Sequence, residues 1–200
     1  ADYSSSPHVN DIQFALASMS CAEGDDTTAA EELAKVNYDR LNPLQRDKYN
    51  LRMGYMTFMG GDYPEAERYF SKIGAGSEYA DHATYYKSYI AYARGDMNVA
   101  RNGFSSLASS AMYRDLMPYY LLQLDFKEGN YQSVVSKGDA LMTQTTEEHA
   151  QQIRRILAES WFQMDDYAAA IKYMKQYKAA GGEMGRVENY IMGYSLHRQT

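Results

Sequence analysis

The side chains able to do acid–base, nucleophilic or metal chemistry are sparse in this chain, and their spacing works against them. Its four histidines, His8, His82, His149 and His197, stand far apart. No two are separated by the four residues that place a pair of imidazoles on one helix face to grip zinc. Cys21 is the only cysteine, so neither an internal disulfide nor a cysteine-based metal cluster can form. Its neighbours Ala22 and Glu23 carry no positive charge to lower the thiol pKa. Gly74-Ala75-Gly76 lacks the third glycine of a dinucleotide loop and reads as a linker. Gly193-Tyr194-Ser195-Leu196-His197 echoes a nucleophile elbow but lacks its second glycine and falls inside a helical pattern. The expectation is a protein without catalytic residues, metal or cofactor, and not an enzyme.

Contact chemistry is better supplied. The chain holds 20 tyrosines and 12 methionines, both large and adaptable in what they touch. With 20 Lys+Arg against 26 Asp+Glu the net charge is -6, and no basic run offers the counterion-release drive that holds nucleic-acid binders. Nucleic acid is therefore not an expected partner. No apolar run approaches the ~20 residues a membrane-spanning helix needs. The opening Ala1-Asp2-Tyr3-Ser4 has neither a basic nor an apolar leader region.

The elements that must position these side chains recur. Gly61-Asp62-Tyr63 returns as Gly95-Asp96-Met97, Gly129-Asn130-Tyr131 and Asp165-Asp166-Tyr167, with Gly24-Asp25-Asp26 upstream. The successive spacings are 37, 34, 34 and 36 residues. Each tripeptide is flanked by segments whose apolar residues recur three or four apart, the pattern of amphipathic helices. The Gly or Asp permits the turn, and the Asp or Asn after it is placed to cap the next helix. Pro64 suits a first helical turn, Pro7 and Pro43 mark two further helix starts, and Pro118 fits a first-turn position in its helix. Thr145-Thr146-Glu147-Glu148 reads as a cap and acidic first turn.

Small residues followed by bulky ones repeat in the second helices at Ala29, Ala66, Ala100 and Ala170, with Leu33, Phe70, Phe104 and Met174 four positions on. In the first helices the apolar-then-small pair is Leu16-Ala17, Met53-Gly54, Leu157-Ala158 and Met192-Gly193. On these residues the chain resembles the tetratricopeptide repeat (TPR) family over essentially its whole length. The resemblance implies an all-α, right-handed α-solenoid of about five full helix hairpins and one half repeat. The implied units are 10–46, 47–80, 81–114, 115–150 and 151–185, with a half unit at 186–200, in one array over 1–200. The unit 115–150 departs, with Leu121-Leu122 at the close-crossing pair, Val134 for the small residue and Gly138 for a bulky one, so a looser hairpin is expected there. The half unit shows no polar cap, which suggests a piece of a longer solenoid or a last helix packed on another chain.

In a TPR superhelix the first helices line a concave groove. The resemblance therefore places Phe14, Tyr55, Phe58, Tyr85, Tyr89, Tyr92, Tyr119, Phe126, Phe162, Tyr190 and Tyr194 there, together with Arg155. Tyr85, Tyr89 and Tyr92 stand at i, i+4 and i+7 on one helix face. Such a wall suits a protein or peptide ligand. Trp161 is expected to serve interhelix packing. The alternative function is structural self-assembly through the unfinished terminal repeat, giving a homo-oligomer. The chain is also similar to long multi-repeat TPR proteins of bacterial envelopes, in Ser6-Pro7-His8-Val9-Asn10-Asp11 and Gly182-Glu183-Met184-Gly185-Arg186. That similarity implies a periplasmic or outer-membrane-associated setting, while the residues themselves leave the cytoplasm open.

Overall fold

The computed structural model describes residues 7–24 and 26–199, which form eleven α-helices and no strand. The opening 1–6 and Asp25 lie outside the described residues, as do the side chains of His8 and Cys21. Two compact units divide the chain, one reaching to Arg94 and one beginning at Gly95. The first holds α1 (Pro7–Glu23), α2 (Asp26–Ala34), α3 (Pro43–Met59), α4 (Tyr63–Phe70) and α5 (Ala80–Arg94), with a 3₁₀ turn at Tyr38–Arg40. The second holds α6 (Met97–Ser106), α7 (Met117–Lys127), α8 (Tyr131–Met142), α9 (Glu147–Gln163), α10 (Tyr167–Ala179) and α11 (Arg186–Arg198), with a 3₁₀ turn at Leu107–Ser109. No helix among the described residues is long and apolar enough to cross a membrane.

Local chemistry sets the helix boundaries. Asn42 accepts from the Gln45 backbone N–H at 2.9 Å while the Gln45 side chain accepts from the Asn42 N–H, and Pro43 occupies the first turn of α3. Asp62 caps α4, Asp166 caps α10 and Thr146 caps α9, each through a side-chain oxygen accepting from a first-turn N–H. Asp96 and Asn130 stand at the corresponding starts of α6 and α8 without a side-chain cap bond, so the capping expected of this tripeptide holds at two of the turns and fails at these. The turns α3–α4, α7–α8 and α9–α10 close identically. Asp62 N–H donates to Thr57 O, Asn130 N–H to Asp125 O and Asp166 N–H to Trp161 O, with shorter-range bonds from Gly61 to Phe58, Gly129 to Phe126 and Asp165 to Phe162. This is the Schellman arrangement, which requires a left-handed residue between the helices. Gly61 (φ 81°) and Gly129 (φ 77°) supply it freely; Asp165 adopts it at φ 62° as the only described non-glycine residue with positive φ.

Within each unit the substantial helix contacts run from each helix to the next, or to the next but one as in α3–α5, α7–α9 and α9–α11. Ala66, Phe70, Ile73, Ala83 and Ile90 form one core of the first unit, and Phe14, Ala17, Leu33, Val36 and Leu41 another. Phe14, expected on a groove wall, is thus a core residue, because its helix face turns to α2 and its ring packs with Leu33 and Val36. In the second unit Leu122, Val134, Ile153, Leu157, Met174 and Ile191 belong to a single core. Burying a side chain such as Leu157 or Phe70 contributes about 1.5–3 kcal/mol each.

Close helix approach is achieved as the small residues foretell, at some positions. A Cβ on Gly54 would lie 2.5 Å from the Phe70 ring, so α3 and α4 cross with that ring filling the missing side chain. Ala17 and Ala158 are fully buried at the equivalent places. Gly193 differs, since a Cβ there would meet nothing within 4 Å. At Gly138 a Cβ would lie 2.7 Å from Leu157, and α8 packs more extensively on α9 than on its hairpin partner α7. The looseness lies between α7 and α8, where Pro118, Leu121, Leu122 and Leu141 border a cleft of about 460 Å³.

Candidate functional site

Two stacked ring pairs report a shared register. Phe70 of α4 lies parallel to Tyr86 of α5 with centroids 5.0 Å apart, and Phe104 of α6 lies parallel to Tyr120 of α7 at 4.7 Å. Both pairs are separated by 16 residues, and their first members by 34. A second family of pairs spans the turns: Phe58–Tyr63, Phe126–Tyr131 and Phe162–Tyr167, with centroids 5.4, 6.1 and 5.9 Å apart. The left-handed residue between the helices brings these two rings, five positions apart in sequence, onto one surface.

The first unit builds a cleft on this frame. Phe58 also meets Tyr86 at 5.1 Å and Tyr89 at 5.5 Å, and Tyr55 meets Tyr86 edge-on at 5.8 Å. Tyr85 stands edge-on to Tyr86 at 5.3 Å. These rings, with Tyr63 and Met59, line a cleft of about 410 Å³ between α3, α4 and α5, a volume within the range of ligand sites. Tyr86 is its fixed point because the buried Phe70 backs its ring. Tyr55 and Met59 are its accessible lip, 37% and 63% exposed. Burial pushes the Tyr86 phenol up to about 12, with Tyr55 and Tyr85 adding to the effect, so the hydroxyl stays protonated and neutral across the physiological range.

Four of the expected residues, Tyr55, Phe58, Tyr85 and Tyr89, therefore meet at one place, and Tyr92 follows a turn beyond Tyr89 with centroids 6.3 Å apart. In the second unit Phe162, Tyr190 and Tyr194 gather with Tyr167, all with centroids 5.6–6.0 Å from Phe162. Phe126 is half-buried on that unit's core and paired with Tyr131. Tyr119 is stacked on His149 at 4.0 Å. Arg155 is engaged by Glu159 at 2.5 Å; burial raises the Glu159 carboxyl, helped by Glu188 and opposed by Arg155. Trp161 packs against the second unit's core.

Met59, Tyr63, Tyr86 and Tyr167 were not foreseen. For Tyr63 and Tyr167 the signal was available in Phe58-x-x-Gly61-Asp62-Tyr63, Phe126-x-x-Gly129-Asn130-Tyr131 and Phe162-x-x-Asp165-Asp166-Tyr167, where a Phe precedes the turn and a Tyr follows it; Gly95-Asp96 departs, with Tyr92 before and Met97 after. Among the described residues no group of three or more His, Cys, Asp or Glu is arranged to hold a metal ion. The chemistry on offer is ring faces, phenol hydroxyls and a thioether, suited to contact and hydrogen bonding.

No family model matches this chain. No curated protein matches it either. The functional reading of the cleft accordingly rests on its geometry and on the recurrence of its parts.

Proposed function

We propose that this chain is a TPR-type α-solenoid that works as a protein-interaction scaffold, binding a peptide segment of a partner in the ring-lined cleft of its first unit. The observation that carries the reading is the cleft itself: several aromatic side chains from three helices, held by buried Phe70, around a solvent-open space of about 410 Å³. Tyrosine gives such a surface large contact area at little rotamer cost, and its hydroxyls supply hydrogen bonds to a peptide backbone. The solenoid reading is supported by the equal spacing of the stacked pairs and by substantial helix contacts that, within each unit, run to the next helix or the one after.

The test is selection of binding peptides from a random library against the immobilised chain, followed by measurement with a variant carrying Tyr85→Ala, Tyr89→Ala and Tyr92→Ala. Selected peptides should bind the parent protein and lose at least tenfold in the variant, provided its helical circular dichroism is retained. Equal binding to a folded variant would remove the cleft from the proposal.

A second reading, self-assembly, draws on the exposed Val187, Tyr190 and Tyr194, which stand at i, i+3 and i+7 on one face of α11. Contiguous exposed apolar surface of this kind is a feature of association sites. Sedimentation across a concentration series separates the two: dimers that vanish on Val187→Glu with Tyr190→Glu favour assembly, and a monomer at all concentrations removes it.

A further inference from the structure

The chain's charge is unevenly shared. Up to Arg94 there are 14 acidic and nine basic residues, a net of -5, whereas from Gly95 onward 12 acidic and 11 basic residues leave -1. The ring-lined cleft lies wholly within the acidic part, and none of the side chains lining it is charged. The net charge of that part therefore favours the long-range approach of a basic peptide over an acidic one.

The walls add a preference of the same sign. Aromatic faces carry negative quadrupole density and attract cations. Elsewhere this protein already uses its tyrosines in that way: Arg46 lies 5.4 Å from the Tyr38 centroid, Lys72 5.1 Å from Tyr69, Lys172 4.7 Å from Tyr173 and Arg198 5.6 Å from Tyr167. In the cleft Tyr55 stands edge-on to Tyr86, Phe58 is tilted against Tyr86, and Tyr55, 37% exposed, is the ring an entering group reaches first. A neutral phenol such as that of Tyr86 also leaves an oxygen able to accept from an N–H donor.

We propose that the cleft bordered by Tyr55, Phe58 and Tyr86 receives an arginine side chain from a basic peptide segment of the partner. Arginine suits it better than lysine because the guanidinium is flat, weakly hydrated and able to lie against a ring while its N–H groups reach phenol oxygens. The absence of a carboxylate among the lining residues means that ring faces and the field of the unit, not a salt bridge, supply the selectivity. This proposal rests on the peptide-binding reading above.

The test uses the whole chain with ¹³C-labelled tyrosine rings, titrated with acetyl-Gly-Arg-Gly-amide and with the same tripeptide carrying citrulline or norleucine in place of arginine. The arginine peptide should shift the Tyr55 and Tyr86 ring signals and bind about three- to tenfold more tightly than the citrulline peptide, an advantage that shrinks as salt is added. Tyr55→Leu should abolish that advantage and Tyr55→Phe should keep it, which separates loss of the ring from loss of the hydroxyl. Equal binding of the arginine and citrulline peptides, or tighter binding of a proline-rich peptide at the same rings, overturns the arginine assignment while the peptide cleft stands. No ring shift with any peptide overturns both.

Discussion

At the residue scale, two glycines that share a register have opposite roles. Gly54 is filled by the Phe70 ring, so Gly54→Ala forces a methyl into packed space and should cost about 1–3 kcal/mol. Gly193 faces open space within α11, where the only effect of Gly193→Ala is relief of glycine's poor helix propensity. That substitution should stabilise by about 0.5–1 kcal/mol. Urea unfolding of both variants checks the pair, and the same sign for both would mean that the register does not govern packing. Asp165 gives a third case. It holds a left-handed φ of 62°, with its carboxylate accepting from the Tyr167 hydroxyl at 2.6 Å. Asp165→Val should lose about 1–2 kcal/mol because a β-branched side chain tolerates that conformation poorly, whereas Asp165→Asn should be close to neutral. Residue types alone made Gly54 legible as a close-crossing position. They could not say that Gly193 would face open space, because that depends on which helix lies opposite.

At the element scale, one buried carboxylate ties three helices of the second unit. Asp125 of α7 accepts from Arg101 of α6 at 2.8 Å, and from Ser133 at 2.6 Å and Lys137 at 3.0 Å on α8. Burial alone would raise its pKa, but the Ser133, Lys137 and Arg101 hydrogen bonds together outweigh it and hold the carboxyl below its ordinary 3.8. A depressed folded-state pKa contributes stability that is fully present above the unfolded value and is lost as pH falls through the folded one. Acid unfolding monitored by circular dichroism should therefore steepen below about pH 4, and Asp125→Asn should flatten that limb. Asp125→Ala should cost about 2–3 kcal/mol at neutral pH. Helix starts were legible in advance at Pro43, Pro64 and Thr146 because caps and prolines act locally. The Asp125 network was not, since its members lie 4 to 36 positions from one another along the chain and only the packing of α6, α7 and α8 brings them together. The same holds for Tyr86, which stands beside the Tyr85, Tyr89, Tyr92 stripe in sequence yet turns toward Phe70.

At the scale of the whole molecule, charge sets behaviour in solution. With a net charge of -6 and a pI near 5.2, solubility should be least close to pH 5 and recover on either side, as turbidity across a pH series would record. The helical class was legible because apolar periodicity extends over nearly every segment. The aromatic cleft was legible only in outline, since its volume depends on ring orientations that no spacing rule fixes. The paired rings of Phe70–Tyr86 and Phe104–Tyr120 also bear on which changes of length the chain can accept. One residue added inside α5 ahead of Tyr86 would rotate that side chain by about 100° and strip Phe70 of its partner. The same addition in the loop at 71–79 could bulge outward with the rings undisturbed, so related sequences should gain and lose residues in such loops while keeping the helical segments between their punctuation marks at constant count.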